Sequence, residues 1–399
     1  MNLSEFQGLD ALPGQAAARA RMDAVQPAAY ARTRNHLEGA VTRLSPYITH
    51  GVVTLREVLA HVLAREPLDI QHKLVYEFGW REFFRHAWAH HGQDIEQSLH
   101  AGPLPDDAYA QALPADIREG RTGVPVIDMA VRTLYATGTL HNHARMWLAS
   151  YVVHLRRVHW RAGADWMVAH LFDGDLGSNH LSWQWVAGTG SSKPYLFNAE
   201  NVARFAPPPW HSPGSVIDRS YDELDQIARG ARQAFAAPHK LIGDPVEEPA
   251  LQTKPPVDFG LTAIENIAQL VQGREVWLVH PWALRGLDVP STALVLGVYL
   301  HEHHARWPWP ERRWRWVDAS MREVASHCVY DDQQSLRQAL TGAARVRSVD
   351  DLHIRPWLKD IVELDAAPAL FPQVDRPCSS FSQWWTRATR GLKQAQELL

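Results

Sequence analysis

The stretch Asp173-Gly174-Asp175-Leu176-Gly177-Ser178-Asn179, continuing through His180-Leu181-Ser182 to Trp183-Gln184-Trp185, decides how this chain reads. Two carboxylates, two carboxamides and two tryptophans share thirteen residues, with glycines around them as far as Gly190. Burying a carboxylate is costly unless it is paired and hydrogen-bonded. The mixture is therefore wasteful at a plain helix–loop junction and useful for holding a polar, redox-active ring system. Trp183 and Trp185 are two positions apart, so on a helix they diverge by roughly 200°. One can face such a ring while the other faces something else.

Upstream, from about Leu3 to Trp185, the pattern is helical. Apolar residues recur at three and four, as in Val53, Leu55, Val58, Leu59, Val62 and Leu63, and again in Ile127, Ala130, Val131 and Leu134. Between Arg204 and about Asp258 proline and charge rise, marking an irregular connection. Beyond it, Glu275–His280, Ala293–Tyr299 and Cys328–Tyr330 read as short buried strands, alternating with helices over Pro310–Ala325 and Gln333–Leu340. The expected fold is mainly α: an all-α domain over 1–205, a linker over 206–270, and a smaller α/β, Rossmann-like domain over 271–399.

With 46% hydrophobic and 21% charged residues, the 399-residue chain has the composition of a globular protein with room for two or three cores. No run approaches the roughly 20 apolar residues of a membrane span, and Met1–Arg34 lacks a signal-peptide pattern. Two cysteines exclude a disulfide framework and a cysteine-rich zinc site, so a cytoplasmic location is expected. A net charge of −4 argues against a protein that coats nucleic acid, though a local arginine patch can still neutralise a few phosphates. Tryptophan is the outlier, with 17 copies, seven of them between Trp80 and Trp185; large aromatic cores are the plain explanation for most.

Three more segments carry chemistry. In Arg43-Leu44-Ser45-Pro46-Tyr47-Ile48-Thr49-His50-Gly51, Ser45 is placed to cap a helix whose first turn holds Pro46. That end is either a simple cap or an anion site for a pyrophosphate. In Glu77-Phe78-Gly79-Trp80-Arg81-Glu82-Phe83, residues Glu77, Trp80 and Arg81 share a helical face; spacing alone favours a surface Glu77–Arg81 pair. In Leu140-His141-Asn142-His143-Ala144-Arg145-Met146, residues Asn142, Arg145 and Met146 share a face, while His141 and His143 diverge and do not suit a metal. His301-Glu302-His303-His304 reads as a solvated strand-end loop rather than a metal site.

Taken together these four motifs, in this order, resemble the flavin-binding half of the DNA photolyase and cryptochrome family, and more closely the photolyases of cyclobutane pyrimidine dimers. The resemblance covers Thr42 to about Trp185. It implies that FAD is held by Tyr30, Thr42, Arg43, Leu44, Ser45, Arg81, Arg145, Asp173, Gly174, Asp175 and Asn179. Val41 departs from the family's threonine in the phosphate-binding segment, and Thr139 and His143 replace a tryptophan and an arginine. Arg145 is implied to pair with Asp173, and Asn179 to face the flavin N5. Glu77, Trp80, Asn142, Met146 and Trp185 are implied to contact the lesion, with Glu77 stabilising charge on it. Trp183 and Trp160 are the implied electron-transfer tryptophans. No third tryptophan is evident, and Tyr109 lies nearest to its place. No metal is expected.

Only about forty residues precede the phosphate-binding segment, whereas the family places an α/β antenna domain there. Val276–Val279, Ala293–Tyr299, Arg312–Val324 and Phe381-Ser382-Gln383-Trp384-Trp385 are similar to parts of that domain. Two readings fit the C-terminal third: an antenna-like domain moved to the other end, with a second chromophore of unknown kind, or a generic Rossmann-like appendage. The implied activity is that of a deoxyribodipyrimidine photo-lyase. It would act as a monomer, without a membrane, on DNA containing pyrimidine dimers, with a preference for single strands because the loop after Gly190 is short. The alternative is a cryptochrome-like blue-light receptor without repair.

Overall fold

The structure, a computed structural model, describes residues 11–238, 243–285 and 289–399. The expected helical stretch from Leu3 to Asp10 lies outside the described residues. From Gln15 to Ala228 the regular elements are helical. Those that matter most are α1 (Ser45–Thr49), α2 (Lys73–His91), α3 (Asn142–Ser150), α4 (Trp160–His170) and α5 (Leu176–Ala187). Helix α5 is buried nearly all round, as a central helix must be, and packs on α2, α3 and α4.

Three of these helices begin on a histidine. The ring Nδ1 of His72, His141 and His159 accepts the backbone N–H two residues on, at 3.1–3.2 Å. A neutral imidazole can do this, since one ring nitrogen is then an acceptor. Burial before all else pushes His141 down to about 4, which keeps it in that form.

The C-terminal third forms a five-stranded, fully parallel sheet: β1 (Glu275–Val279), β2 (Leu294–Leu300), β3 (His327–Asp331), β4 (Arg345–Val349) and β5 (Glu363–Asp365). The order is β3-β2-β1-β4-β5, with Val276 opposite Leu294 on one side and Val346 on the other. The apolar runs of β1 and β2 are those of strands covered on both faces. Strands β4 and β5 escape the sequence reading because Arg345 and Arg347 break the apolar run. Those arginines pair with Glu363 and Asp365 on β5, one of the sheet's two edge strands. Helices α6 (Glu311–Met321) and α7 (Phe381–Ala388) complete the part that bears on function. The His301–Glu302–His303–His304 stretch is not a solvated loop: it opens a helix, His301–Arg306, with His303 2% and His304 0% exposed. Among the described residues no cluster suits a metal ion, and no helix is long and apolar enough to cross a membrane.

One apolar core runs from Ala18 through Val75 and Phe83 into the sheet and on to Leu398, and a second holds the helices between Tyr109 and Ile227. The front of the helical region is therefore welded to the sheet. Glu82 of α2 marks the weld, accepting the N–H groups of Leu370 at 2.6 Å and Phe371 at 3.2 Å. Burial outweighs these donors and raises its carboxyl to about 7. The folded chain then keeps a proton that the unfolded chain, with an ordinary glutamate, has released above about pH 4.5. Stability from this group therefore falls as pH rises from about 4.5 to 7, by on the order of 1–3 kcal/mol. Urea unfolding at pH 5 and pH 8 should show a smaller fall for Glu82→Gln than for the wild type; equal falls would contradict this.

Candidate functional site

A cavity of about 270 Å³ lies where α1, α2, α3 and α5 converge. Its wall includes Tyr30; Thr42 and Ser45; Glu77, Trp80 and Arg81; Asn142, Arg145 and Met146; and Asp173, Asn179 and Trp183. The helical faces read from i, i+3 and i+4 spacing are what converge here. Arg43, Leu44, Gly174, Asp175, Trp160 and Trp185 do not line it. Leu44 is fully buried beside the wall, and Arg43 holds a left-handed backbone (φ 54°), a conformation uncommon for a side-chain-bearing residue.

Charge is concentrated at one end. Arg145 Nη2 donates to both Asp173 oxygens, at 2.8 and 2.9 Å. Burial pushes the Asp173 carboxyl up, but Arg145, the Ser45 hydroxyl and Arg81 outweigh it and hold the group below its usual value. Asp175 caps α5 through Oδ1 on the Ser178 N–H at 2.7 Å and is likewise held down, by His353, Arg85 and Arg81 against burial. Ser45 is not a helix cap as expected. It is the first helical residue, and its Oγ accepts from Arg81 Nη2 at 2.8 Å, while Thr49 Oγ1 accepts from Nη1 at 3.0 Å. Nor is there a surface Glu77–Arg81 pair. Glu77 lies 3.3 Å from Arg34 Nε, and Arg81 reaches the hydroxyls instead.

The other end is apolar and aromatic. Trp80 stacks face to face on Phe381 of α7, ring centres 4.0 Å apart at 9°. Trp80 and Phe84 line both the cavity and a surface groove of about 1340 Å³. Trp185, 40% exposed, sits in that groove beside Tyr195, while Trp183 is 2% exposed in the cavity wall. The two tryptophans of α5 thus serve different spaces, as their spacing requires. Asn142 Nδ2 lies 3.6 Å from Met146 Sδ, and Asn179 Nδ2 donates to the Ala164 carbonyl at 2.9 Å. Trp183 lies so close to α4 that a Cβ on Gly163 would come 2.3 Å from its ring. Trp160, one turn earlier, is buried with its indole N–H on Ser98 Oγ at 3.0 Å. The His159 ring lies between Trp160 and Tyr109, with centres 5.7 and 6.3 Å apart.

Sequence reasoning missed Arg34, Phe84, Ser178 and Ser182 around the cavity, and Phe381 behind Trp80. Ser182 was within reach, three residues after Asn179 on the same helix. Arg34 and Phe381 were not, because 43 and about 300 residues separate them from their partners.

The family model described as the FAD binding domain of DNA photolyase matches residues 74–235. Over 167 residues the chain is 36% identical to the deoxyribodipyrimidine photo-lyase of Escherichia coli (strain K12), spanning 39% of this chain and 35% of that one. It is 29% identical over 263 residues to a chloroplastic/mitochondrial cryptochrome DASH of Ostreococcus tauri, spanning 62% of this chain and 45% of that one. Among solved structures, a cryptochrome of Synechocystis sp. PCC6803 is 28% identical, with a TM-score of 0.43, over 48% of this chain and 43% of that one. The chain spans less than half the length of these curated relatives.

The lining suits FAD. Hydroxyls of Tyr30, Thr42 and Ser45 line the cavity with Arg81, a half-buried cation hydrogen-bonded to hydroxyls, which is a setting for an anion. Apolar and aromatic walls beyond them suit a flat ring. Over residues 74–235 the chain is thus similar to the FAD binding domain of DNA photolyase, and the relatives it resembles are deoxyribodipyrimidine photo-lyases and a cryptochrome DASH.

Proposed function

We propose that this protein is a light-driven, FAD-dependent lyase that repairs cyclobutane pyrimidine dimers, preferentially in single-stranded DNA. The observation that carries the reading is the meeting of the cavity and the groove at Trp80. A flipped lesion entering past Trp80 meets Glu77, Asn142 and Met146 within the same wall as the flavin-side residues. FAD held here would, when reduced and excited by near-UV or blue light, supply an electron to the lesion and receive it back after the two carbon–carbon bonds between the pyrimidines open, leaving no net redox change. The chain's own part is to hold and orient. Arg145 and Asp173 fix the flavin loop, Asn179 presents its amide, and Trp80 and Trp185 stack on bases. Burial raises the Glu77 carboxyl against the pull of Arg34, which favours the protonated form that can donate to the lesion.

The groove supports the strand preference. Among the described residues lining it, Arg229 is the lone lysine or arginine, it pairs with Asp225, and Asp94 opposes it. Aromatic rings dominate instead: Tyr76, Trp80, Phe83, Phe84, Trp185 and Phe381. Binding by stacking suits single strands, at about 1–3 kcal/mol per base, whereas duplex docking depends on phosphate contacts. Dimer-containing oligonucleotides should bind at least tenfold tighter single-stranded than duplex, with a logarithmic salt slope near −1 rather than the steeper slope of a protein making many phosphate contacts. Light-dependent loss of the dimer, scored on both substrates with the reduced protein, tests the activity itself. Tighter duplex binding with a steep salt slope would remove the strand preference. No repair of either substrate by the flavin-loaded, reduced protein would favour a photoreceptor, the reading that its likeness to a cryptochrome DASH supports.

In this reading the chain acts as a cytoplasmic monomer. Residues up to about 205 form the flavin unit, 206–270 the connection and 271–399 the α/β unit.

A further inference from the structure

Arg313 of α6 belongs to the sheet region, is 1% exposed, and has no partner on its Nε. Its Nη1 donates to the Val168 carbonyl and its Nη2 to the Gly174 carbonyl, each at 2.8 Å. Its guanidinium carbon lies 4.2 Å from the Trp309 ring centre. Taking a cation out of water is costly, and here one hydrogen bond ends on Gly174, between Asp173 and Asp175, and the other on Val168 near the end of α4. The fit is close. A Cβ on Gly174 would stand 2.6 Å from Arg313 Nη1 and 2.2 Å from the Val168 oxygen. The φ of Gly174 is not in the left-handed region, so the glycine answers to space rather than to backbone strain.

A second anchor grips the same loop two residues further on, at Leu176. His353 Nε2 accepts the Leu176 N–H at 3.1 Å, which places the ring proton on Nδ1, 2.7 Å from Asp351 Oδ1. The other Asp351 oxygen takes Arg85 Nη2 at 2.5 Å, on the helix that presents Glu77 and Arg81. The His353 ring is stacked on Trp282, 4.4 Å away at 6°. Asp173 meets Arg145 and the cavity at the front of the loop; Arg313 and His353 hold its back.

We infer that Arg313 and the Asp351–His353 pair are positioning residues of the cofactor site, pressing the Asp173–Leu176 loop toward the flavin from behind. The inference rests on reading the cavity as a flavin site. It makes the sheet region part of the redox centre, because the loop's shape and the positive charge behind it both come from there. That charge lies one residue from a cavity-lining carboxylate, so it favours adding an electron to whatever the cavity holds.

The test uses the full chain loaded with FAD and reads two quantities, the dissociation constant by flavin fluorescence and the midpoint potential. Arg313→Met should weaken FAD binding at least tenfold and move the potential in the negative direction. Arg313→Lys keeps the charge and should restore the potential while leaving binding weakened, a split that simple loss of packing does not produce. Circular dichroism and thermal melting establish that each variant is folded. If Arg313→Met does not fold, His353→Ala replaces it, with weakened FAD binding rescued by His353→Gln, whose amide oxygen can again accept from Leu176. Wild-type affinity and potential in folded Arg313→Met, or wild-type affinity in His353→Ala, overturns the inference alone. A wild-type chain that takes up no FAD overturns the flavin reading, and the inference with it.

Discussion

Arg145→Met is expected to yield a protein that has lost its flavin and about 3 kcal/mol of stability. Asp173 is 6% exposed and takes both of its direct ion-pair contacts from one Arg145 nitrogen. Removing one partner of a buried pair leaves an uncompensated charge, which costs about 3–5 kcal/mol. The lower end applies, because Arg81 still acts on Asp173 and Arg313 lies behind the loop. The sign can be checked with pH. In the wild type the Asp173 carboxyl is held below its usual value, so its contribution is present above about pH 4 and is lost as pH falls. In Arg145→Met the carboxyl takes a proton more readily, and the gap from the wild type should narrow below about pH 4. Urea unfolding at pH 7 and pH 3.5, with flavin absorbance of the purified protein, measures both effects. A yellow variant with a wild-type melting curve would show that the pair is incidental.

Glu77→Ala is expected to cost about 10²-fold in the light-driven rate of dimer loss, the scale on which removing one well-placed donor acts. Glu77→Gln keeps a donor and should lie within about tenfold of the wild type. The reason is the company Glu77 keeps. Burial raises its carboxyl, Arg34 at 3.3 Å lowers it, and burial prevails. The protonated acid is the form that can donate to a lesion gaining negative charge. Wild-type repair should therefore fall as pH rises through that raised value, whereas Glu77→Gln, with nothing to titrate there, should stay level. Arg34→Met removes the opposing cation and should carry the wild-type plateau to higher pH. Repair at a fixed light dose, plotted against pH for the three proteins, decides the matter; identical profiles would remove Glu77 from the chemistry. FAD absorbance of each variant separates loss of repair from loss of cofactor.

What the sequence determined by itself was local. Three-and-four spacing placed Glu77, Trp80 and Arg81 on one side of a helix, and Asn142, Arg145 and Met146 on one side of another. A two-residue step sent Trp183 into the cavity and Trp185 to the groove. Apolar runs gave β1, β2 and β3, since strands covered on both faces need little else. These features follow from helix and strand geometry, which depends only on neighbours in the chain.

Partners were decided by the tertiary structure. Ser45 looked like a cap until Arg81, 36 residues away, claimed its hydroxyl. Glu77 and Arg81 suit each other at i, i+4, yet Arg34 and two hydroxyls outbid that pairing once both were partly buried. The histidines after β2 carry no local sign of burial; His304 is covered by Trp309, just before α6, and by Trp314 of α6. Arg313 reached Gly174 across 139 residues, and Phe381 covered Trp80 from the far end of the chain. Burial removes water as the default partner of a charge or an N–H. The replacement is whatever the fold brings within reach, and sequence distance places no limit on that.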